Sequence, residues 1–577
     1  MGNTAFLAHI NEENEKQTLK VHLQTTSMLC GQFADKINCK NIGLLCGLLH
    51  DIGKYTSRFN TYLLNAHNGI FGQKHNHSSA GGVLLFSLME KETDGFSLLL
   101  KQIVSEAICC HHSGLCDNLT PNGEDGFLKR VSEKQDILYD EVYQNFCDEF
   151  SIEKDVLPLI SLAKNELIAI VKKINLAEID TVFSFGLLQK YLFSCLTDAD
   201  RLDTACFMLG EKLPITNNNQ VLFEKLAENL ENQLNILQSK PKGTESVDKL
   251  NAIRREISQM CKDAAKKAPA IYTLPCPTGA GKTLSSIRFA LNHCVEYGKG
   301  KIFYVIPFCT IIDQNADVLK KFLSADENDN TAKNTIAEIH SSVIPEDNED
   351  VAEKNSFSLL SERFEKPITL TTMVHFLDIF FSHKTQSTRA IHQFSNSVII
   401  FDEIQALPLN CIYLFNSLVN FLVYICGATV ILCTATQPCL DKVKHSIKVQ
   451  GNFKLVDIDD KTKAVFKRVD IVPCDTSQKI TAHETARLIF EKAKTENNVL
   501  GIFNTKTSAK AVFTEINNLN KESPKNEQYE IYLLTTLFCP SNRRELLAQI
   551  IKKLKVPNSK IICITTQLIE AGVDISF

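Results

Sequence analysis

The chain has no C-x-x-C pair, no excess of basic residues, no leader-like amino end and no internal repeat, and each absence narrows what it can be. Its 20 cysteines are scattered through apolar stretches. Neither a disulfide framework nor a cysteine zinc site is indicated, and reduced, mostly buried thiols are expected. A net charge of −5 gives no chain-wide basic field, so any contact with nucleic acid has to come from local grooves and oriented backbone donors. The opening MGNTAFLAHINEENEKQTLK lacks the basic stretch and apolar core of a signal peptide. The most apolar long stretch, around 414–436, is interrupted by Asn416, Asn420 and Gly427 and reads as a buried helix followed by a strand, not as a membrane span. These features predict a cytoplasmic protein. No self-similarity with a period of roughly 20–50 residues is visible, which excludes solenoids and propellers.

What is present is an ordinary globular composition, 44% hydrophobic and 22% charged, over 577 residues. That length accommodates roughly three or four domains. From Gln17 to about Met208 apolar residues recur at helical spacing, as in LLQKYLFSCL, with almost no strand-like alternation. A polar, turn-rich stretch with one charged helical piece follows over 210–250 and marks a junction. Beyond it, β-rich runs alternate with helices: AIYTLP, KIFYVIP, PITLTT, SVIIFDE and ATVILCTAT, then NVLGIFNT, EIYLLTT and KIICITT. Apolar strands separated by helices predict parallel sheets covered on both faces. The expected organisation is a helical domain over 1–209, a connecting segment over 210–250, and two α/β domains over 251–450 and 451–577.

Two sets of chemistry-bearing residues lie on this plan. In PTGAGKT (277–283), Gly279 and Gly281 let backbone amides approach a phosphate at the start of a helix. Lys282 would reach the β- and γ-phosphates and Thr283 would ligate Mg²⁺. Cys276 stands where the first glycine of the pattern is usual, without removing a phosphate donor. At the end of SVIIFDE, Asp402 is placed to hold the Mg²⁺ shell and Glu403 to orient the attacking water. ATP with Mg²⁺ is the implied cofactor.

The amino-terminal set begins with His50 and Asp51 in LLCGLLHDIGKY, expected on one helix anchored by Leu44, Leu45, Leu48 and Leu49. Asp51 can bridge two cations while His50 binds one, and cations about 3.5–4 Å apart clamp both oxygens of an in-line phosphoryl displacement. Lys54, one turn on, could steady developing phosphate charge. With His22, His77, His111, His112 and Asp200, the order H…HD…H…HH…D resembles the HD phosphohydrolase superfamily. The resemblance implies that His22, His50, Asp51 and Asp200 hold one metal, and Asp51, His77, His111 and His112 the other. Such ligands fit Fe²⁺, Mn²⁺, Co²⁺ or Ni²⁺. His75 competes with His77, and Asp198 with Asp200. The Ser-Ser-Ala-Gly after His77 and the Arg-Leu-Asp after Asp200 favour the latter of each pair. His9, His67 and His293 have no partners in the pattern and read as ordinary surface or core histidines.

The second half resembles a superfamily 2 helicase. TATQP (434–438) is similar to its coupling motif, IPFCTIIDQNA and ITLTTMVHF to DNA-contacting segments, FNTKTSA to motif IV and TTQLIEAGVDISF to motif V. The resemblance implies DNA contacts at Thr310, Thr372, Thr434 and Thr566, and nucleotide-facing positions at Gly572 and Asp574. Gln405 stands where many relatives have histidine. The arginine-rich motif VI does not occur before Phe577, so the second α/β domain is expected to be incomplete: the chain is a fragment, a second polypeptide completes it, or its ATPase is impaired.

An HD domain followed by a superfamily 2 helicase resembles the CRISPR-associated nuclease-helicases of type I interference, and matching motifs run from His22 to Asp574. LFSCLTDADRLDT and DEIQALP are most similar to the compact subtype I-C branch. The resemblance implies an all-α HD domain followed by tandem RecA-like domains, the second incomplete. It also implies a metal-dependent nuclease coupled to an ATP-driven 3′-to-5′ helicase, recruited by a guide-RNA surveillance complex to the single-stranded DNA of an R-loop. One rival reading is an HD nuclease or nucleotide phosphohydrolase whose motor serves only for docking; another is a non-enzymatic binder.

Overall fold

Thr18 opens the helical part of the chain: its hydroxyl accepts from the Val21 amide at 3.4 Å, satisfying one of the free donors at a helix start. In this computed structural model the described residues are all except 1–4, 71–75, 116, 120, 133–136, 214–218, 240–243, 308, 327, 340–362, 468, 474–478 and 570–574. A short antiparallel hairpin, β1 (Leu7–Ile10) and β2 (Lys16–Thr18), precedes the helices of the amino-terminal domain. β2 leads directly into α1 (Leu19–Asp35), followed by α2 (Lys40–Leu49), α3 (Ser57–His67), α4 (Ala80–Leu88), α5 (Gly95–Cys110), α6 (Gly126–Ser132), α7 (Tyr139–Glu149) and α8 (Leu157–Leu176).

α9 (Thr181–Leu209) is the girder of this domain at 29 residues. Asp180 caps it, accepting from the Phe183 amide at 3.0 Å, and Gly210 ends it in the left-handed conformation at φ 65°. Its centre is buried almost all round, from Leu187 to Asp200, because α1, α2, α5 and α8 pack on it and a second domain covers what they leave. Two further helices, α10 (Gln220–Ser239) and α11 (Glu245–Ala264), occupy the connecting region.

The next domain is a six-stranded, wholly parallel sheet. β3 (Ile271–Pro275) leads into α12 (Lys282–Tyr297), then come β4 (Lys301–Ile306), β5 (Ile336–Ile339), β6 (Ile368–Thr372), β7 (Ser397–Phe401) and β8 (Thr429–Thr434), in spatial order β3-β8-β7-β4-β6-β5. β6, β7 and β8 are buried along their whole lengths, as strands covered on both faces must be. β5 was not expected; it is short and sits at the sheet edge. One continuous apolar cluster joins the helical domain to this sheet, running from Leu19 and Leu45 through Tyr191 and Leu192 to Phe394, Phe401 and Val430. Both therefore belong to one compact unit extending to about Phe466.

A second compact unit is built mainly on Lys467–Phe577. Its parallel sheet, in order β10-β11-β9, uses β9 (Asn498–Ile502), β10 (Glu530–Leu534) and β11 (Ile561–Thr565). Helices Ala482–Glu496 and Lys506–Glu522 cover one face with Phe490, Val512 and Ile516. None of the described cysteines is in a disulfide, and most are buried. No helix among the described residues is long and apolar enough to cross a membrane.

A candidate metal centre and a candidate nucleotide site

His50 and Asp51 do not share a helix, as had been expected: α2 ends at Leu49, His50 caps it, and Asp51 begins a single tight turn, Ile52–Lys54. The break has a physical use. It turns the His50 ring and the Asp51 carboxylate into the same space between α1, α4, α5 and α9. Gly53 makes the turn fit, because a Cβ there would collide with the His77 carbonyl oxygen.

Asp51 is the hub. Its Oδ2 lies 3.5 Å from Nε2 of both His22 and His50. Its Oδ1 lies 3.4 Å from His111 Nε2, 3.7 Å from His77 Nε2 and 4.0 Å from His112 Nε2. Asp200 Oδ1 closes the first group at 3.5 Å from His22 Nε2 and 3.7 Å from His50 Nε2. His77 and His112 meet Nε2 to Nε2 at 3.0 Å. His22, His50, Asp51 and Asp200 form one set of donor atoms within 4.8 Å of each other, and Asp51, His77 and His112 another.

The rings are held from behind. His50 Nδ1 bonds the Gly47 carbonyl at 2.8 Å, His111 Nδ1 the Ile108 carbonyl at 2.6 Å, and His22 Nδ1 the Asp203 carboxylate at 2.7 Å. Each Nδ1 is thus engaged as a donor, and each Nε2 faces Asp51, where it would offer its lone pair once a cation displaced the proton. Gln17 Nε2 donates to the same Asp203 oxygen at 2.9 Å, fixing it in turn. Nε2 of His22, His50 and His111 and Oδ1 of Asp51 are buried without a hydrogen-bond partner among the described residues. Buried polar atoms are seldom left so, and four of them converging on one point fit divalent cations.

The electrostatics say the same. Burial opposes charge on His22, yet the Asp203 and Asp51 carboxylates raise it to about 8. His111 is likewise raised against burial by Asp51 and Asp200. Burial opposes ionisation of Asp51 as well, but Lys54 and the surrounding histidines hold its carboxyl well below the usual range. Lys54 Nζ stands 2.7 Å from Asp51 Oδ2. The pocket is thus short of positive charge, which a cation supplies.

His22, His50 and Asp51 are fully buried, whereas the His77 and His112 side chains are 21% and 48% exposed. Among the described residues of the centre these two are the most open to solvent, and a substrate would enter over them. His75 lies outside the described residues. Asp198 takes no part in the cluster: it faces the other way, onto Arg389 Nε at 2.6 Å and Arg363 Nε at 2.9 Å. His67 is exposed and bonds Asn14, and His293 is a core residue between Ala265 and Thr429. His9, read as an unpartnered histidine, packs edge-on to the His22 ring, with centroids 5.0 Å apart.

The second site sits at the carboxyl end of the six-stranded sheet, where open α/β sheets bind ligands. Gly279 and Gly281 have φ of 83° and 84°, and α12 starts at Lys282 and directs its amino end into the loop. Thr283 is its second residue. Lys282 Nζ lies 2.5 Å from Glu403 Oε1, and Tyr304 Oη is 3.4 Å from Asp402 Oδ2. Burial lifts Asp402 to about 6, with Lys282 pulling down and Glu403 pushing up. Gln405 Nε2 donates to Glu403 Oε2 at 2.5 Å, and the Thr434 hydroxyl donates to Gln405 Oε1. Fully buried, Thr434 links the last strand to the acidic pair.

Thr372 ends β6 and caps the following helix Met373–Phe381, accepting from the His375 amide at 3.1 Å. Thr566 follows β11 in the second unit and is nearly buried. The side chain of Thr310, and all of Gly572 and Asp574, lie outside the described residues. Sequence reasoning missed Asp203, although its i,i+3 spacing from Asp200 on one helix was a usable signal. Gln17 and Arg254, whose Nε donates to the Gly279 carbonyl at 2.8 Å, carried none.

Comparison with known proteins agrees with this layout. A family model described as HD domain matches residues 20–133, and one described as DEAD/DEAH box helicase matches 257–444. A protein of Methanocaldococcus jannaschii named putative CRISPR-associated nuclease/helicase Cas3 is 26% identical over 385 residues, 62% of this chain and 49% of that protein. The Haloferax volcanii CRISPR-associated nuclease/helicase Cas3 is 27% identical over 37% of this chain and 25% of its own length. The chain thus spans half or less of these relatives. The crystal structure of T. fusca Cas3 superposes with a TM-score of 0.57 over 99% of this chain and 70% of that one, at 16% identity, which shows the fold. The chain thus has an amino-terminal helical HD domain followed by a RecA-like parallel-sheet helicase domain, and proteins named CRISPR-associated nuclease/helicase are similar to it.

Proposed function

We propose that the chain is a metal-dependent nuclease of CRISPR interference that cuts single-stranded DNA and is coupled to an ATP-driven motor acting on the same strand. The observation that carries this reading is the convergence of unpartnered Nε2 atoms of His22, His50 and His111 on Asp51. On this reading His22, His50, Asp51 and Asp200 hold one divalent cation, and Asp51, His77, His111 and His112 a second. The donors suit Fe²⁺, Mn²⁺, Co²⁺ or Ni²⁺. When bound, such a pair supplies Lewis acidity and lowers the pKa of water enough to make a nucleophile at neutral pH.

The chain's own groups do the rest. Asp203 and the Gly47 and Ile108 carbonyls keep the imidazoles in the tautomer that presents Nε2. Lys54, beside Asp51 and buried, offers a fixed positive charge to a phosphate that enters over His77 and His112. In the motor, Lys282 and Thr283 bind the phosphates and Mg²⁺, Asp402 completes the Mg²⁺ shell and Glu403 orients water, so an arriving nucleotide takes Lys282 away from Glu403. The released Glu403 is joined through Gln405 to Thr434, which relays nucleotide state to the segment after β8.

The relatives' names include nuclease/helicase, and one structure similar at TM-score 0.50 is titled a CRISPR RNA-guided surveillance complex, pre-nicking. These support a partnership with a guide-RNA surveillance complex; recruitment to the displaced strand and 3′-to-5′ translocation from there are part of the same proposal. The test is nicking of circular single-stranded DNA in Mn²⁺ with and without ATP. Asp51→Ala abolishes nicking in both; Lys282→Ala keeps metal-dependent nicking and loses processive degradation. Nicking by pure Asp51→Ala protein overturns the site.

A further inference from the structure

α9 carries a second set of polar residues that the chemistry above does not use. Lys190, Tyr191, Ser194, Asp198 and Arg201 recur at three and four along it, one stripe of a helix, and every one is bonded to the segment 382–395 of the sheet domain. Lys190 Nζ donates to the Ser382 carbonyl at 2.6 Å and Arg201 Nη2 to Thr385 Oγ1 at 2.9 Å. Ser194 Oγ donates to the Arg389 carbonyl at 2.8 Å, and Ser395 Oγ to Tyr191 Oη at 2.8 Å. Asp198 is the centre of the stripe, fully buried between the Arg389 and Arg363 guanidiniums, themselves 1% and 4% exposed.

The same helix presents Asp200 and Asp203 to the metal centre. At about 100° per residue these lie roughly 200° and 140° round the axis from Asp198, so the two stripes face opposite sides. A buried ion pair with two arginines allows α9 little rotation, and any rotation that breaks it carries Asp200 and Asp203 off His22. The seam has a second point of contact on the metal side. Gly114, which ends the His111-His112 turn in the left-handed conformation at φ 84°, lies so close to the sheet domain that a Cβ would collide with the His383 carbonyl oxygen. Segment 382–395 thus touches both elements that bring metal-facing side chains from α5 and α9. It also directly follows the helix that starts at Thr372.

We infer that Asp198 is a positioning residue of the metal centre: locked by Arg389 and Arg363 of the sheet domain, it sets the rotation of α9 that aims Asp200 and Asp203, so the centre is completed only when the two domains are joined. The inference rests on the reading of His22, His50, Asp51 and Asp200 as metal ligands. No proton or bond is transferred through Asp198; its effect is on where Asp200 stands.

The test uses the full chain, titrated with Mn²⁺ without nucleotide and followed by electron paramagnetic resonance, with binding of a fluorescent ADP as control on the sheet domain. Asp198→Asn, the same shape without the charge, is expected to weaken Mn²⁺ binding at least tenfold while ADP binding stays unchanged. Asp198→Glu restores the affinity to within about threefold, which a general loss of packing does not. Wild-type Mn²⁺ affinity in Asp198→Asn overturns the inference. Should that variant lose ADP binding as well, Ser194→Ala carries the test, with an expected threefold weakening; wild-type affinity there overturns it. Asp51→Ala separates the two levels: if it keeps full Mn²⁺ binding, the ligand reading itself falls, whereas loss in Asp51→Ala with none in Asp198→Asn removes only the positioning role.

Discussion

Lys54 Nζ lies 2.7 Å from Asp51 Oδ2, three residues along a single tight turn, in a pocket where both side chains are almost wholly buried. The lysine is thus placed as a fixed charge beside the metal-facing carboxylate and is not itself a metal ligand. Lys54→Met is therefore expected to bind Mn²⁺ at least as tightly as the wild type, since a competing cation is removed. Its nicking rate should fall by roughly 10²-fold, in line with loss of one preorganised charge-stabilising group. Metal titration and single-turnover cleavage check the two halves separately. A rate unchanged by the substitution removes Lys54 from the chemistry.

Asp203 touches no candidate metal position, yet it fixes the tautomer of His22 from behind at 2.7 Å. Removing such a partner typically costs about 10–100-fold in metal affinity. Asp203→Asn should weaken Mn²⁺ binding within that range and leave DNA binding by the motor unaltered. Calorimetric titration reads the effect directly.

The chain of contacts Lys282, Glu403, Gln405 and Thr434 predicts a split between nucleotide binding and DNA-stimulated ATP turnover. Gln405→Ala leaves Lys282 free to bind nucleotide but severs Glu403 from Thr434. Fluorescent ADP should bind with wild-type affinity, while stimulation of ATP turnover by single-stranded DNA drops at least tenfold. Equal stimulation in variant and wild type contradicts the relay.

Glu106, nearly buried on α5, is pushed up to about 7 by burial and by the neighbouring Asp125 carboxylate. The folded state holds its proton where the unfolded chain has released it, so this group's contribution to stability is full below about pH 4.5 and is lost as pH rises through about 7. Glu106→Gln keeps the neutral shape. It is expected to be more stable than the wild type at pH 8, by on the order of 1–3 kcal/mol, and no different from the wild type at pH 5. Thermal unfolding at the two pH values decides, and an equal shift at both contradicts the titration.

The strands were legible because each is a short apolar run with a turn or helix on either side, and Ile271–Pro275, Lys301–Ile306 and Ser397–Phe401 lie within the runs read from sequence. The hairpin Leu7–Ile10 with Lys16–Thr18 was not, since its strands are only four and three residues long and their pairing is set by packing on α1 and α9. The histidine order pointed to a common centre, but periodicity alone carried α2 through His50. The turn after it needs a glycine at 53, because a Cβ there would meet the His77 carbonyl oxygen, a contact between residues 24 apart in the chain that no local pattern reveals. Asp198 and Asp200 were indistinguishable by type; what separates them is that the arginines of a later domain face one and His22 faces the other.

The central claim is that one carboxylate, Asp51, gathers two cations among the histidines. Counting Mn²⁺ ions bound per full-length chain without nucleotide, for the wild type and for Asp51→Ala, tests it most directly. The account predicts two in the wild type and none held tightly in the variant, with fluorescent ADP binding equal in both. Two tightly held ions in Asp51→Ala, or none in the wild type, would contradict it.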